Sequence, residues 1–279
     1  LHSHPVKITH IQLTMNTLKA FITDELSKRI TDYTSSSTYL YEHYNLEQQN
    51  IESYNGRQLL EMIQNADDAC EKATNKNIRI SLQDGYLTIS NNGEPFTEGG
   101  FRSILYSNAS PKVKQQNKIG QKGLGFRSIL SWADQVVISS GGVKVAFSQR
   151  IAKEFLDDLR KKAPKLSEFI AANGNIEHPI AILRIPRLLN DAPFGSNEFD
   201  TVISIKLKKK VLDDVQKQIN RTIDKETLVF LNNVESIEID SPERKISFRK
   251  TYPNPNQVTV ESIANGQIDS CTWQLTKLN

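Results

Sequence analysis

Residues 60–69 (LEMIQNADDA) bring acid and amide side chains together in one short segment. Apolar side chains recur around them at three- and four-residue spacing, which predicts a helix with one apolar stripe. The stripe consists of Leu59, Met62, Ile63, Ala66, Ala69 and Cys70. Glu61, Asn65 and Asp68 share the same spacing and form a second face. Because Asn and Asp are poor helix-interior residues, this face indicates a role beyond solubility, with a solvated polar stripe as the alternative.

A glycine-rich segment follows at residues 119–128 (IGQKGLGFRS). Gly120, Gly123 and Gly125 would let the backbone approach a ligand closely, with N–H groups free to meet anionic oxygens. A helix starting near Phe126 would add its positive N-terminal end. The alternative is an ordinary turn between two elements, and the segment matches neither the Walker P-loop nor a Rossmann turn. Together, in this order, the two segments predict a nucleotide site.

Between these segments the sequence predicts a β-hairpin. Residues 77–83 and 86–91 alternate apolar and polar side chains, and Asp84-Gly85 joins them as a tight turn. The second strand continues into Asn91-Asn92-Gly93-Glu94-Pro95-Phe96. A polar side chain at a strand end, followed by a glycine turn, is a candidate base-reading element.

Taken together, the pattern E-x-x-x-N-x-x-D-A, then a polar strand end with glycine, then G-x-x-G-x-G-F resembles the GHKL ATPase superfamily. The stretches EMIQNADDA, ISNNGEPF and IGQKGLGFRSI are most similar to its sacsin and No Vein branch. The resemblance covers roughly residues 50–240, and the motifs are specific in combination rather than singly. It implies an α/β (α+β) two-layer sandwich of the Bergerat type, with a mixed, mainly antiparallel sheet and helices on one face.

The resemblance also implies a role for each matching residue. Glu61 would be the catalytic general base that activates water, Asn65 would ligate Mg²⁺, and Asp68 would support the helix face and its water network. Gly93 would let the base lie against the backbone, and Thr201 would help bind adenine through water. The remaining nucleotide-binding positions are Asn91, Phe96, Gly120, Gln121, Lys122, Gly123, Leu124, Gly125 and Phe126.

The chain departs from the superfamily pattern at two positions. Most members have Asp where this chain has Asn91, and the Asn91 amide offers both an acceptor and a donor. Base selectivity between adenine and guanine is therefore open. Pro95 replaces a common glycine and should stiffen the turn.

Residues 101–118 lie where the superfamily has a mobile lid, and their polar residues predict a loop. Ser110 and Lys112 resemble a lid element of the No Vein branch, which implies phosphate contacts. A solvated loop whose lysines serve solubility is the alternative.

Composition is typical of a globular protein that buries a core. The chain has 279 residues, 38% apolar and 24% charged, with a net charge of +3, which does not favour nucleic acid. The basic run at 206–210 is expected to be a solvated strand end. Two cysteines are too few for a disulfide framework, so a reducing, cytoplasmic location is expected. We see no membrane span, signal peptide or zinc-site spacing, and expect the chain to be part of a longer protein.

The predicted helices and strands, taken with the resemblance, divide the chain into three parts. These are an N-terminal helical segment (1–53), the nucleotide-binding core that the resemblance implies (54–233) and a β-rich extension (234–279) that begins a second module. Helices are predicted at 14–33, 38–52, 151–162, 165–173, 211–221 and 225–231. Strands are predicted at 135–140, 143–148, 180–185, 201–207, 234–239, 245–250, 258–263 and 269–276.

The leading functional hypothesis is a module that binds Mg·ATP, closes its lid, hydrolyses slowly and moves downstream domains of the same chain. A nucleotide-dependent homodimer is a further possible partner arrangement. A non-hydrolysing, nucleotide-gated scaffold is the second hypothesis, and the intact Glu61 and Asn65 favour the first. Because relatives receive a catalytic arginine or lysine from a following domain, the resemblance implies little turnover for this chain alone. A DNA-processing subunit is the third, and the near-neutral charge argues against it.

Overall fold

The computed structural model describes residues 4–53, 56–106, 124–173, 176–189 and 198–275. Their helices are α1 (His4–Ser35), α2 (Thr38–Ser53), α3 (Gln58–Ala69), α4 (Glu98–Leu105), α5 (Leu124–Arg127), α6 (Gln149–Lys162), α7 (Pro164–Ala172), α8 (Leu212–Thr222) and α9 (Lys225–Phe230). The strands are β1 (Asn77–Gln83), β2 (Tyr86–Asn91), β3 (Ala133–Ser140), β4 (Val143–Ser148), β5 (Arg187–Leu188), β6 (Thr201–Leu207), β7 (Ser236–Asp240), β8 (Lys245–Asn254), β9 (Gln257–Ala264) and β10 (Gln267–Gln274). Among the helices described, none is long and apolar enough to cross a membrane.

These elements fall into two compact units. The first unit comprises Leu1–Gln58 and Phe96–Phe194, and the second comprises Leu59–Pro95 and Gly195–Asn279. The segments predicted at 1–53, 54–233 and 234–279 divide the chain at other points and stay a prediction.

The second unit is built on a mixed sheet with strand order β10-β9-β8-β7-β1-β2-β6. Neighbouring strands are antiparallel except for β1 and β7, which are parallel. Along β1, Ile78, Ile80 and Leu82 are buried while the residues between them are not, so one face packs into the core. The chain is therefore α+β with a mixed, mainly antiparallel sheet, as the sequence predicted.

The β1–β2 hairpin shows why this part of the prediction succeeds. Asp84 and Gly85 both have positive φ, 51° and 78°, as a two-residue turn between right-twisted strands requires. The turn fixes the register, so that Ile80 lies opposite Ile89. β1, β2 and β6 begin and end at the predicted residues.

The first unit surrounds the β3–β4 hairpin and the short strand β5. A hydrophobic cluster joins residues of α1, α2, α6 and α7, including Tyr33, Leu40, Leu156 and Ile170. The Ser148 hydroxyl accepts from the Ile151 N–H at 3.1 Å and so starts α6. Pro164 occupies the start of α7, where its missing N–H costs little.

The predicted strand at 180–185 is wrong, because Ile182–Arg184 form a 3-10 helix. The Glu47 carboxylate accepts hydrogen bonds from the N–H groups of Ile182 (2.6 Å) and Leu183 (3.0 Å). A side chain from α2 thus caps this turn in the way an N-cap does. The contact spans more than a hundred residues of sequence, so a local apolar pattern could not reveal it.

The loop predicted at 101–118 is wrong at its beginning, because Phe101–Leu105 belong to α4. The Thr97 hydroxyl caps this helix by accepting from the Gly100 N–H, and the apolar side chains Phe101, Ile104 and Leu105 are buried. The sequence did not predict this helix, because Gly99 and Gly100 near its start have low helix propensity. The helix expected near Phe126 is the single turn α5, followed by the 3-10 helix Ser128–Ser131.

Candidate functional site

Helix α3 presents one buried face and one half-buried face. Leu59, Met62, Ile63, Ala66 and Cys70 of the predicted stripe are buried, whereas Ala69 is only partly so. Glu61, Asn65 and Asp68 are all partly exposed. These three polar side chains therefore share a face that solvent or a ligand can reach, on a helix held in place by its other side.

Asp67, which directly precedes Asp68 in the chain, is buried and holds a remote segment of backbone. Its carboxylate accepts from three consecutive N–H groups, those of Asn232 (3.1 Å), Asn233 (2.8 Å) and Val234 (2.8 Å). The Asn233 side-chain amide also donates to the Asp67 carbonyl at 3.0 Å. The sequence prediction missed Asp67, although it falls four residues after Ile63, on the apolar stripe. An acidic residue on the apolar face of a helix is expected to have a buried hydrogen-bond partner.

Lys250 of β8 holds the same segment by its carbonyl groups. Its ammonium is buried and donates to the carbonyls of Leu228 (3.2 Å) and Leu231 (2.6 Å). Burial lowers the pKa of Lys250, and the negative charges of Asp67 and Glu235 oppose that shift. Lys250 was also missed, although it alternates with Ile246 and Phe248 and so falls on an apolar strand face.

Asn91 ends β2 as a buried side chain, with 3% of its surface exposed. It lies directly opposite Thr201, also buried, at the start of β6. Its amide nitrogen has no hydrogen-bond partner among the residues that the structure describes. An unsatisfied buried amide costs roughly 1–3 kcal/mol, and a site that receives a ligand is one reason for a protein to keep such a group.

Gly93 brings the turn after β2 against the end of α3. The Glu94 N–H donates to the Ala69 carbonyl at 2.8 Å. A Cβ on Gly93 would lie 2.6 Å from the Asn91 amide nitrogen and 2.8 Å from the Ala69 carbonyl carbon and oxygen. Only glycine fits this approach, so Asn91 and Gly93 are fixed next to the helix that carries Glu61, Asn65 and Asp68.

Other predicted site residues belong to the first unit. The Phe96 N–H donates to the Ser140 hydroxyl at 2.9 Å, and its ring lies 5.2 Å from that of Phe101. Gly125 and Phe126 are buried in α5, which begins at Leu124. The remaining predicted residues lie outside the described part of the chain: Ser110, Lys112, Gly120, Gln121, Lys122 and Gly123.

Arg127, in the glycine motif itself, is a buried cation that the sequence prediction did not use. Its guanidinium donates to the Ile104 carbonyl at 2.6 Å, at the end of α4. Burial lowers its pKa to about 10, and the nearby charge of Glu47 opposes this. Burial raises the pKa of Glu47 itself, against its two backbone donors and the charges of Arg127 and Arg184. This part of the first unit is therefore a buried charge network.

Over the residues described, no group of three or more His, Cys, Asp or Glu side chains could hold a metal ion by itself. Magnesium in nucleotide sites is usually held by one or two protein oxygens together with phosphates and waters. The finding therefore does not test whether Asn65 ligates magnesium, and that role stays a prediction.

A scan against protein-family models and a search of curated proteins both give no match to this chain.

Proposed function

We propose that the chain is a magnesium-dependent ATP-binding module of the GHKL type that hydrolyses ATP slowly. In this proposal the second unit contributes the base-reading and metal-binding part of a Bergerat-type fold, closest to the sacsin and No Vein branch. Support comes from α3, whose Glu61, Asn65 and Asp68 share a partly exposed face. Further support is that Gly93 holds the end of β2 against the last turn of this helix.

The observation that carries the proposal is the buried amide nitrogen of Asn91, which has no hydrogen-bond partner among the described residues. Two buried charged groups of this unit, Asp67 and Lys250, have partners, whereas the Asn91 amide nitrogen and the Gln216 side-chain oxygen have none in the described part of the chain. The Asn91 amide lies at a strand end, where it would hydrogen-bond to the edge of a purine base, since such an edge carries both donors and acceptors. Thr201, opposite Asn91, would hold the base from the neighbouring strand through a water molecule.

The proposed chemistry follows from the side chains of α3. Glu61 would take a proton from a water molecule as that water's oxygen forms a bond to the terminal phosphorus. The bond from that phosphorus to the bridging oxygen breaks, so that ATP and water give ADP and phosphate. Asn65 would hold Mg²⁺ through its amide oxygen, and the ion when bound neutralises phosphate charge. Asp68 would orient water on the same helix face.

The contacts proposed for Gly120, Gly123, Gly125, Ser110 and Lys112 with phosphates rest on the sequence resemblance alone. So do the movement of downstream domains and a nucleotide-dependent homodimer. The buried Cys70 and the exposed Cys271 are free thiols, which fits a reducing cytoplasm.

Calorimetric titration of the wild-type chain with ATP, ADP and GTP in magnesium tests the proposal. We expect heat of binding with ATP and ADP, and slow release of phosphate from ATP. Glu61→Ala should keep ATP affinity within about twofold and abolish release, since the carboxylate orients water rather than holding the nucleotide. Asn65→Ala should weaken binding that depends on magnesium. Glu42→Ala, an exposed change on α2, is the control and should alter neither.

The outcomes separate the competing functions. No heat and no melting shift with millimolar ATP would overturn the nucleotide proposal. Binding without any phosphate release by the wild type would support the scaffold instead. Unchanged release by Glu61→Ala would remove Glu61 as the general base.

A further inference from the structure

Residues 231–234 (LNNV), which follow α9, are held at both ends by ionised side chains. The carboxylate of Asp67 binds their N–H groups, and the ammonium of Lys250 binds the carbonyl of Leu231. Three N–H donors converge on one carboxylate, and two carbonyls converge on one ammonium. Charge-assisted bonds of this kind are about twice as strong as neutral ones, so the segment is firmly fixed.

Asp67 stands between Asn65 and Asp68 in the chain, and successive helical residues point about 100° apart. A carboxylate that is bound by three donors therefore fixes the rotation of α3 about its axis. The same rotation sets where Glu61, Asn65 and Asp68 point. If Asp67 loses its partners, the helix keeps its apolar contacts but loses this restraint on its rotation.

Lys250 belongs to β8, a strand that pairs with β7 and β9 and carries none of the predicted site residues. The backbone N–H of Lys250 also donates to the Glu235 carbonyl at 2.8 Å, and Glu235 directly follows residues 231–234. The path from β8 to α3 is thus short and consists of named contacts: the Lys250 ammonium, the 231–234 backbone and the Asp67 carboxylate.

We propose that Asp67 and Lys250 are positioning residues that form one clamp on residues 231–234, and that this clamp sets the nucleotide affinity of α3 from the β8 strand. The inference rests on the proposed function for its nucleotide readout. It assigns to the β-rich end of the chain a regulatory contact with the site: whatever displaces Lys250 weakens nucleotide binding. By reciprocity, bound nucleotide strengthens the clamp.

A double-mutant cycle tests the clamp with Asp67→Asn, Lys250→Met and the double variant. Each is measured for its dissociation constant for Mg·ATP and for its melting temperature without nucleotide. We expect each single change to weaken binding by about fivefold to tenfold, which is about 1–1.4 kcal/mol. The double variant should be no weaker than the worse single variant, because both changes release the same segment. Lys250→Arg, which keeps the charge and the donors, should restore most of the affinity.

Val215→Ala, which truncates a buried side chain on α8, is the matched control for a general loss of stability. It should lower the melting temperature by a similar amount and leave the dissociation constant unchanged. If Asp67→Asn and Lys250→Met behave like this control, the positioning role is wrong and the clamp is only structural. Additive losses in the double variant would mean that the two residues act separately.

The two proposals fail in different ways. A wild-type chain that binds no nucleotide overturns both the proposed function and the regulatory role. The melting temperatures still show whether Asp67 and Lys250 are coupled through the segment. A wild-type chain that binds nucleotide with variants of unchanged affinity overturns the regulatory role alone.

Discussion

Glu47 in the first unit and Asp67 in the second are buried polar side chains with hydrogen-bond partners, whereas the buried Asn91 amide nitrogen has none in the described part of the chain. Each carboxylate is buried on a helix and binds backbone N–H groups that are remote in sequence. Asn91 is equally buried, yet its amide nitrogen has no partner in the described part of the chain. Because a buried polar group without a partner costs free energy, the two acids stabilise the fold, and we propose a ligand as the partner of the Asn91 amide.

The largest effect that sharpens this comparison is expected at Glu47. Glu47→Ala removes the carboxylate that accepts from the N–H groups of Ile182 and Leu183, and it removes a negative charge that interacts with Arg127 and Arg184. Breaking a buried ionic arrangement from one side costs about 3–5 kcal/mol. Urea denaturation should show a loss in the free energy of unfolding of this size. Glu42→Ala, exposed on the same helix, should change it by less than about 0.5 kcal/mol.

Gly93→Ala tests whether the strand end must lie against α3. The new Cβ would meet the Ala69 carbonyl carbon and oxygen at 2.8 Å, and backbone atoms cannot move aside as a flexible side chain can. We expect a loss of about 1–3 kcal/mol in the free energy of unfolding, together with weaker nucleotide binding.

Gly99→Ala is the matched control for Gly93→Ala, because it makes the same change where there is room. Gly99 lies in the first turn of α4, and its nearest atom to a Cβ would be the Thr97 hydroxyl at 3.6 Å. Alanine suits a helix better than glycine by up to about 1 kcal/mol. Gly99→Ala should therefore stabilise the protein or leave it unchanged, and a loss equal to that of Gly93→Ala would contradict the steric explanation.

His43 offers a pH test of the first unit's charge network. Its Nδ1 lies 3.1 Å from the Tyr33 hydroxyl, and burial together with Arg184 and Arg29 lowers its pKa from 6.5 to about 4. The unfolded chain therefore takes up a proton below pH 6.5, whereas the folded chain does so only near pH 4. The stabilising effect is present above pH 6.5 and is lost as the pH falls towards 4.

Because His43 is partly exposed, we expect its contribution to the free energy of unfolding to be about 1–2 kcal/mol over this range. The measurement is the difference in the free energy of unfolding between wild type and His43→Phe, determined at several pH values. Phe keeps the stacking on Tyr39. Glu47 titrates with the opposite sign but is present in both proteins, so it largely cancels in the difference. A difference that does not change with pH would show that His43 is not held neutral by its surroundings.

Local chemistry explains which parts of the fold the sequence could predict. Asp84-Gly85 supplies the positive φ values of the hairpin turn, and the alternation of apolar residues sets the register. The 3-10 helix at Ile182–Arg184 could not be predicted, since Glu47 creates it from α2. Helix α4 was not predicted, because Gly99 and Gly100 have low helix propensity; the Thr97 cap and buried apolar side chains offset it.

The candidate site divides in the same way. The spacing of Glu61, Asn65 and Asp68 was enough to predict one helix face, and the structure has α3 there with all three partly exposed. Asp67 and Lys250 could not be assigned partners, because their partners are backbone groups at 228–234 that carry no sequence signal. The sequence did show that each of these charged residues is spaced like the apolar residues of its helix or strand. A charged residue on an apolar face is expected to have a buried partner.

The smallest effect on stability, and the sharpest contrast, is expected at Asn91. Asn91→Leu removes a buried amide whose nitrogen has no described partner and replaces it with an apolar side chain of similar size. Replacing an unsatisfied polar group in this way is neutral or stabilising, so the free energy of unfolding should stay the same or rise by up to about 1 kcal/mol. Affinity for Mg·ATP should nevertheless fall by at least about tenfold, since in the proposed function the Asn91 amide is the polar partner of the base.

Asn233→Leu makes the same replacement where the amide has a partner, and it decides how the Asn91 result is understood. The Asn233 amide nitrogen donates to the Asp67 carbonyl at 3.0 Å, so its loss should cost about 1 kcal/mol of unfolding free energy. Chemical denaturation of both variants gives the comparison, and calorimetry gives the affinity. If Asn91→Leu destabilises the protein as much as Asn233→Leu does, the Asn91 amide is a structural group. The difference between polar groups with and without hydrogen-bond partners would then no longer support a ligand at the end of β2.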